Sequence, residues 1–315
     1  MDIKGIVKGL HHITATVNDA QEDYDFFTKA LGLRLVKETV NFDNEKVYHF
    51  YYANKNGSPS TVFTTFPYKG QGVREGLIGA GQVTHTAFSV PAASLGFWKE
   101  RLRKFGIPFT AGTLFGLGVL DFKDPSGLNI QIVGSDNDQR EPVWKYDDIT
   151  EAEAVRGMHH AILWVRDAGE AMDFLEAFGY EMKNEEGDIN LLEAGEGGPG
   201  NTLIVKSAPH ADIGINGLGT VHHVAHRVDS LEDSLKIKAY LKSRWGLTVT
   251  EVLDRKYFKS IYFRIPGGVL FEVATSGPGF TVDESLEVLG KSLKLPDWQE
   301  PYRVRIAANL LKYEK

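Results

Sequence analysis

HITATV at 12–17, HTAFSV at 85–90, HAILWV at 160–165 and HVAHRV at 223–228 are one phrase written four times: a histidine, a strand-like run, and a valine five places on. After each phrase come a polar stretch, an amphipathic segment and a glycine. These glycines, Gly32, Gly106, Gly179 and Gly246, follow their histidines by 20, 21, 19 and 23 residues. Alternating apolar residues such as Ile13, Ala15 and Val17, or Ala161, Leu163 and Val165, have the period of a strand. In the first unit Asn18 or Asp19 can cap a helix carrying Tyr24, Phe26, Phe27 and Leu31, and Gly32 stands where a left-handed C-terminal residue is wanted. The other units repeat the pattern, as in Leu95, Trp98 and Leu102 before Gly106. Strand-like sequence follows each glycine and two more candidate strands complete every unit, so the module reads β-α-β-β-β. A unit repeated four times reports an ancestral duplication.

The module ends sort the repeats into two kinds. Units two and four close on a proline-glycine turn and a strand, PSGLNIQ at 125–131 and PGGVLFE at 266–272. Gln131 and Glu272 thereby occupy the same place. Units one and three close on NGSPSTVFTTF and GGPGNTLIVKS instead. The expected organisation is therefore a duplicated pair: modules one and two in 1–135, a charged linker at 136–156, modules three and four in 157–278, and a C-terminal tail at 279–315 that docks on the body. The fold class expected is α+β, with four βαβββ modules in two tandem halves whose sheets curl into half-barrel cups.

Composition limits the partners. The chain has 315 residues, 42% of them hydrophobic, enough for two ordinary cores. Its net charge of −7 is made of interspersed acidic and basic residues, which argues against nucleic acid or an anionic membrane as partner. No run is long and apolar enough for a membrane span, and the N-terminus enters the first repeat without a secretory pattern. Cysteine is absent, so disulfides, zinc-thiolate sites and cysteine nucleophiles are excluded. The expected location is cytoplasmic. A homo-oligomer is compatible with this composition.

Two histidines and one carboxylate on converging strands form a facial triad that holds Fe(II) or a similar ion and leaves positions open for substrate and dioxygen. Module four offers His223 and Glu272 itself. Glu272 lies in VLFEVAT, where an ionised carboxylate is costly unless a cation or strong donors compensate it. The remaining ligand comes from an equivalent module, and both His12 and His160 stand at the matching position. His85 is paired with the neutral Gln131, so a site built there is degenerate. Fe(II) is the expected metal, with Mn(II) or Zn(II) compatible with the same donors.

GLHHITATV, VHHVAHRV and PGGVLFEVAT resemble the vicinal oxygen chelate superfamily, which includes glyoxalase, bleomycin-resistance and extradiol-dioxygenase proteins. Within it they look most like the ring-cleaving dioxygenases that act on hydroquinones. LKLPDWQEPYRVRIAANL is similar to the tail of that group, and the resemblance spans nearly the whole chain. It implies metal ligands at His12, His223 and Glu272, and a pairing of module one with module four; the catechol enzymes would imply His160 in place of His12. It also implies that His11, Thr14, His222, Arg255 and Tyr262 are polar residues around the substrate. Because neighbours on a strand face opposite ways, His11 and His222 require a bulge or a strand end to reach the cup.

The activity so implied is a non-haem Fe(II) dioxygenase that opens a hydroquinone or related dihydroxylated aromatic ring with O2. The enzyme alternative is a glyoxalase-type isomerase or lyase, and the non-enzyme alternative a protein that binds an aromatic ligand.

Overall fold

The computed structural model describes residues 3–141 and 143–315. Met1, Asp2 and Pro142, which belong to the expected first half and linker, lie outside the described residues. Module one comprises β1 (Leu10–Val17), α1 (Ala20–Tyr24), β2 (Arg34–Asn41), β3 (Asn44–Ala53) and β4 (Val62–Pro67). Module two comprises β5 (Gln82–Val90), α2 (Leu95–Lys104), β6 (Phe109–Leu114), β7 (Leu117–Lys123) and β8 (Asn129–Gly134). Module three comprises β9 (Gly157–Val165), α3 (Ala168–Phe178), β10 (Tyr180–Glu186), β11 (Ile189–Ala194) and β12 (Thr202–Ser207). Module four comprises β13 (Thr220–Val228), α4 (Leu231–Trp245), β14 (Leu253–Asp254), β15 (Lys259–Arg264) and β16 (Leu270–Thr275).

Local chemistry sets these limits. Asp19, Asp167 and Ser230 accept hydrogen bonds from the first free N–H groups of α1, α3 and α4. Gly179 and Gly246 end α3 and α4 in the left-handed region, at φ of 112° and 63°, where a Cβ is strained. Helix α1 departs from the expected regular helix, since Asp25–Ala30 continues it as a π-helical stretch. There the Thr28 hydroxyl donates back to the carbonyl of Tyr24 at 2.6 Å, a bond that competes with the regular ladder.

The strands form two curled sheets of eight, ordered β14-β15-β16-β13-β1-β4-β3-β2 and β10-β11-β12-β9-β5-β8-β7-β6. In every module the last strand returns parallel to the first. Modules then join by antiparallel pairing of their first strands, β1 with β13 and β5 with β9. The sheets thus do not follow chain order: modules one and four share one, and modules two and three the other. Helices and the outer sheet faces enclose the main core, in which Phe27, Trp98, Phe174, Phe178 and Phe271 are fully buried.

The tail lies along β2 and β3 and carries α5 (Arg303–Asn309) near its end. Lys37 of β2, fully buried, is ion-paired with Asp283 at 2.6 Å and with Glu284. Tyr313 packs its ring against Tyr24, Tyr48 and Phe50. Among the described residues no helix is long and apolar enough to cross a membrane.

One buried acid gives the fold a pH dependence. Asp23 of α1 accepts from Tyr52 Oη at 2.7 Å and Thr65 Oγ1 at 2.6 Å through Oδ2, while its Oδ1 has no partner. Burial outweighs those two bonds and pushes the carboxyl up to about 8. The folded chain therefore keeps a proton that the unfolded chain releases near pH 4. This contribution to stability is full below about pH 4 and is lost progressively as pH rises toward about 8. Asp23→Asn is expected to flatten that decline by up to about 1.4 kcal/mol per pH unit. Denaturant unfolding at pH 5, 6, 7 and 8 checks it, and an unchanged slope in the variant rules the assignment out.

Candidate metal centre

Strand register assembles the site before any side chain is considered. Across the first sheet His12 of β1 lies opposite Ala225 of β13, Ala225 opposite Glu272 of β16, and Glu272 opposite Tyr262 of β15. Residues opposite one another share a face, and His223 lies two places from Ala225 on the same face. His12, His223, Glu272 and Tyr262 therefore project into one cup. His12 Nε2 and His223 Nε2 are 3.3 Å apart, and Glu272 Oε2 lies 3.3 Å from the first and 2.8 Å from the second.

These separations suit a cation. Donors bound at about 2.1 Å and at right angles stand about 3 Å apart. Glu272 is fully buried; Ser260 Oγ donates to its Oε1, whereas Oε2 faces both imidazoles with no N–H aimed at it and has no hydrogen-bond partner. Burial opposes the charge of Glu272, which therefore stays ionised only with positive charge at the two imidazole nitrogens or on an ion between them. Burial also lowers His223, leaving a neutral ring with a lone pair to give. Among the described residues, His12, His223 and Glu272 are the one cluster of such side chains able to hold a metal ion.

Each histidine of the triad is braced by its neighbour. His11 Nδ1 lies 2.9 Å from His12 Nδ1, and His222 Nδ1 lies 2.8 Å from His223 Nδ1. With Nε2 reserved for a cation, the triad rings carry their protons on Nδ1 and donate them to these neighbours, which fixes tautomer and orientation. His11 and His222, both pushed down to about 3 by burial, are neutral and keep their own proton on Nε2. The ladder between β1 and β13 shifts register at both doublets, between Leu10 and His12 and between Thr14 and Ala15, whose partners are His223 and Val221; only the second doublet brings its extra histidine, His222, into the cup.

The cup has a volume of about 230 Å³ and is lined by His12, Thr14, His222, His223, Arg255 and Tyr262 among others. Of the residues expected around the substrate, Thr14, His222, Arg255 and Tyr262 are here. His11 is not: it lines a separate pocket beside Ser58, Tyr257 and Phe280, and reaches the site only through His12. Arg255, legible in sequence as a loop charge, is held by Tyr262 Oη at 3.3 Å from its Nε and by Asp43 at 3.1 Å from Nη1. Burial, together with the Glu272 charge, raises the Tyr262 phenol, so it keeps its proton. His49, Tyr51, Phe42 and Phe258 also line the cup and were not singled out in the sequence. The signal for His49 was its strand period with Tyr51 in VYHFYY, obscured by the aromatic run. His226 packs at 4.3 Å on Phe271 and bonds Tyr180 Oη, a core role.

The second cup holds the matching residues without the triad. His160 Nε2 lies 3.0 Å from Gln131 Oε1, and Gln131 Nε2 donates to Asp121 Oδ1 at 2.6 Å. His160 thus has its Nε2 proton committed to an amide, and it lies in the other sheet from His223. A larger groove of about 700 Å³ beside α3 and β10 is lined by Glu176, Glu181, Lys183 and Glu193, an open charged surface without such a cluster.

The fold and the site define a class: two curled βαβββ sheets, one of which carries a His-His-Glu cluster. The chain belongs to the glyoxalase/bleomycin resistance protein/dioxygenase superfamily, whose family model matches residues 9–132 and 157–273. It is 44% identical over 300 residues to a Bacillus subtilis protein named "Putative ring-cleaving dioxygenase MhqE", covering 95% of this chain and 97% of the relative. It is 35% identical to the chlorohydroquinone/hydroquinone 1,2-dioxygenase of Sphingobium indicum, covering 94% of this chain and 93% of that one. A crystal structure titled "putative dioxygenase" from Bacillus subtilis superposes with a TM-score of 0.93 at 41% identity, covering 98% of both chains.

Replacing the anionic ligand should separate the two cups. Glu272→Gln is expected to lower bound metal more than about tenfold and to abolish turnover, because a neutral amide does not offset a divalent charge. Adding Gln131→Glu to that variant should not restore activity, since Asp121 stands where the first cup has Tyr262. Metal content and turnover of both variants are the measurements; full metal occupancy in Glu272→Gln defeats the triad.

Proposed function

We propose that the chain is a metal-dependent dioxygenase that opens the ring of a hydroquinone or a closely related dihydroxylated aromatic, with Fe(II) held by His12, His223 and Glu272. The observation that carries this reading is the buried, unpartnered Oε2 of Glu272, 2.8 and 3.3 Å from nitrogens of His223 and His12, two histidines that line a cup of about 230 Å³. The names of the relatives above support the same class of reaction. A cavity of about 150 Å³ accommodates benzene, so this cup suits one substituted ring. Mn(II) or Zn(II) suit the donors as well, but dioxygen chemistry favours Fe(II). The metal, when bound, would stabilise a deprotonated phenol and supply the redox chemistry that activates dioxygen.

The protein's own groups then favour an anionic oxygen. The Arg255 guanidinium places positive charge at the rim beside Tyr262. Tyr262 retains its phenolic proton, and His222, whose Nδ1 accepts from His223, offers an Nε2 proton. Three donors therefore surround a substrate that enters as a phenolate, and each can hold charge that develops on oxygen as the ring opens. His11 contributes by steadying His12. Phe42, Phe66 and Phe258 in the lining and Trp298 against Phe42 limit water around the ring. The lack of cysteine and the interspersed charge support a cytoplasmic enzyme working without nucleic acid or membrane.

After Fe(II) loading under nitrogen, admission of oxygen with hydroquinone is expected to give oxygen uptake and a ring-opened acid carrying both atoms of 18O2. Methylglyoxal-glutathione adduct should not turn over. No uptake with any dihydroxybenzene, alongside efficient isomerisation of the adduct, would move the chain to the glyoxalase chemistry of its superfamily.

A further inference from the structure

A second row of residues crosses the same sheet one step from the metal cluster. His223 of β13 lies opposite Thr14 of β1, Thr14 opposite Thr64 of β4, and Thr64 opposite Tyr51 of β3. His49 is two residues from Tyr51 on the same strand and so on the same face. The side chains link in order: Tyr51 Oη lies 2.9 Å from His49 Nδ1, His49 Nε2 lies 2.9 Å from Thr64 Oγ1, and Thr64 Oγ1 lies 2.8 Å from Thr14 Oγ1. The chain begins and ends in the cup, for Tyr51, His49 and Thr14 all line it.

The polarity of this chain follows from the chemistry of its members. Burial lowers His49 well below its ordinary value, so the ring is neutral and carries one proton. Burial raises Tyr51 well above its ordinary value, so the phenol keeps its hydrogen. A phenol is a good donor and a poor acceptor, and the imidazole lone pair is the acceptor beside it. Tyr51 therefore donates to Nδ1, and the His49 proton sits on Nε2 and is donated to Thr64. Thr64, accepting there, spends its single hydrogen on Thr14 Oγ1. Thr14 accepts in turn, and its own hydrogen is left without a protein acceptor. The Thr64 hydroxyl is accordingly the donor and Thr14 Oγ1 the acceptor of the last bond.

The geometry points to His49 as a positioning residue that, through Thr64, fixes the Thr14 hydroxyl as a hydrogen-bond donor for a phenolate oxygen in the cup. The inference rests on the ring-cleaving reading and deepens it. It assigns His49, Thr64 and Tyr51 a purpose in recognition that their places in an aromatic strand and a threonine pair conceal. Thr14, next to His223 in register, presents this donor beside the metal cluster, across the cup from Arg255 and Tyr262. A ligand oxygen that is deprotonated accepts from Thr14 with both partners satisfied, whereas a Thr14 hydroxyl turned the other way would present lone pairs to an anion.

The test is a double-mutant cycle on binding rather than turnover. Fe(II)-loaded protein under nitrogen is titrated with 4-nitrophenol, whose visible absorbance distinguishes phenolate from phenol, and metal content is measured in each variant. Thr14→Val and His49→Phe are each expected to weaken phenolate binding about tenfold, the order of one hydrogen bond to an anionic oxygen. The double variant should bind no more weakly than Thr14→Val alone, because His49 acts through Thr14. His49→Gln, whose amide offers a donor toward Thr64, should recover most of the affinity. Additive losses, or a His49→Phe variant that binds as the wild type does, overturn the proposal while leaving the ring-cleaving reading intact. Failure of the wild-type protein to bind the phenolate overturns both.

Discussion

The negative charge of Glu272, buried on a strand with hydrophobic neighbours, is the constraint around which the first sheet is organised. An isolated ionised carboxylate in such a place costs several kcal/mol or shifts its pKa until it is neutral. Here one oxygen is satisfied by Ser260 and the other is left to two imidazoles and whatever they hold together. His12 reaches it only because β1 pairs with β13, joining the first module to the last. The linkage of modules across the chain is thus also what completes the site, and an arrangement of self-contained halves would have set His160 in the place that His12 takes.

Much of this was legible in the sequence, and the boundary of legibility is physical. Alternation and helix-ending glycines expose the four modules because they are local properties of backbone geometry. Period two says which residues share a face, but not which strand lies alongside. The residues alone therefore left His12 and His160 as equal candidates, and the antiparallel register of β1 and β13 separates them. Likewise the PGG turn and LFE strand marked Glu272, while the anchoring of Arg255 by Asp43 joins segments 212 residues apart. His49 was missed because every side chain in VYHFYY reads as core until its hydrogen bonds are known.

The tail shows a similar dependence on distant sequence. Its polar and apolar pattern indicated docking, and the anchor that does it is a lysine within a strand. Lys37 is fully buried, and removing its acidic partners would leave an unpaired charge under Tyr257, whose ring lies 4.9 Å from the ammonium. Tyr257 and Phe258 belong to the segment that follows Arg255, so the tail holds one wall of the cup. Trp298 of the tail also lies against Phe42 of the lining, with ring centroids 5.6 Å apart.

The two cups descend from the same module pair, yet a single atom type separates them chemically. In the first, the anion Glu272 leaves the Nε2 positions of two histidines free to act as lone-pair donors, and their protons are drawn to Nδ1 by His11 and His222. In the second, Gln131 presents its carbonyl to His160 and its amide N–H to Asp121, and so calls for a proton on Nε2 of His160. His159, 2.9 Å from Nδ1 of His160, must then donate where His11 accepts. The same doublet thus runs with opposite tautomers in the two cups. An amide satisfied on both sides needs no cation, whereas a carboxylate oxygen without a hydrogen-bond donor does, and this difference in unsatisfied charge is what makes one cup able to hold a metal ion and the other a polar network that is satisfied without one.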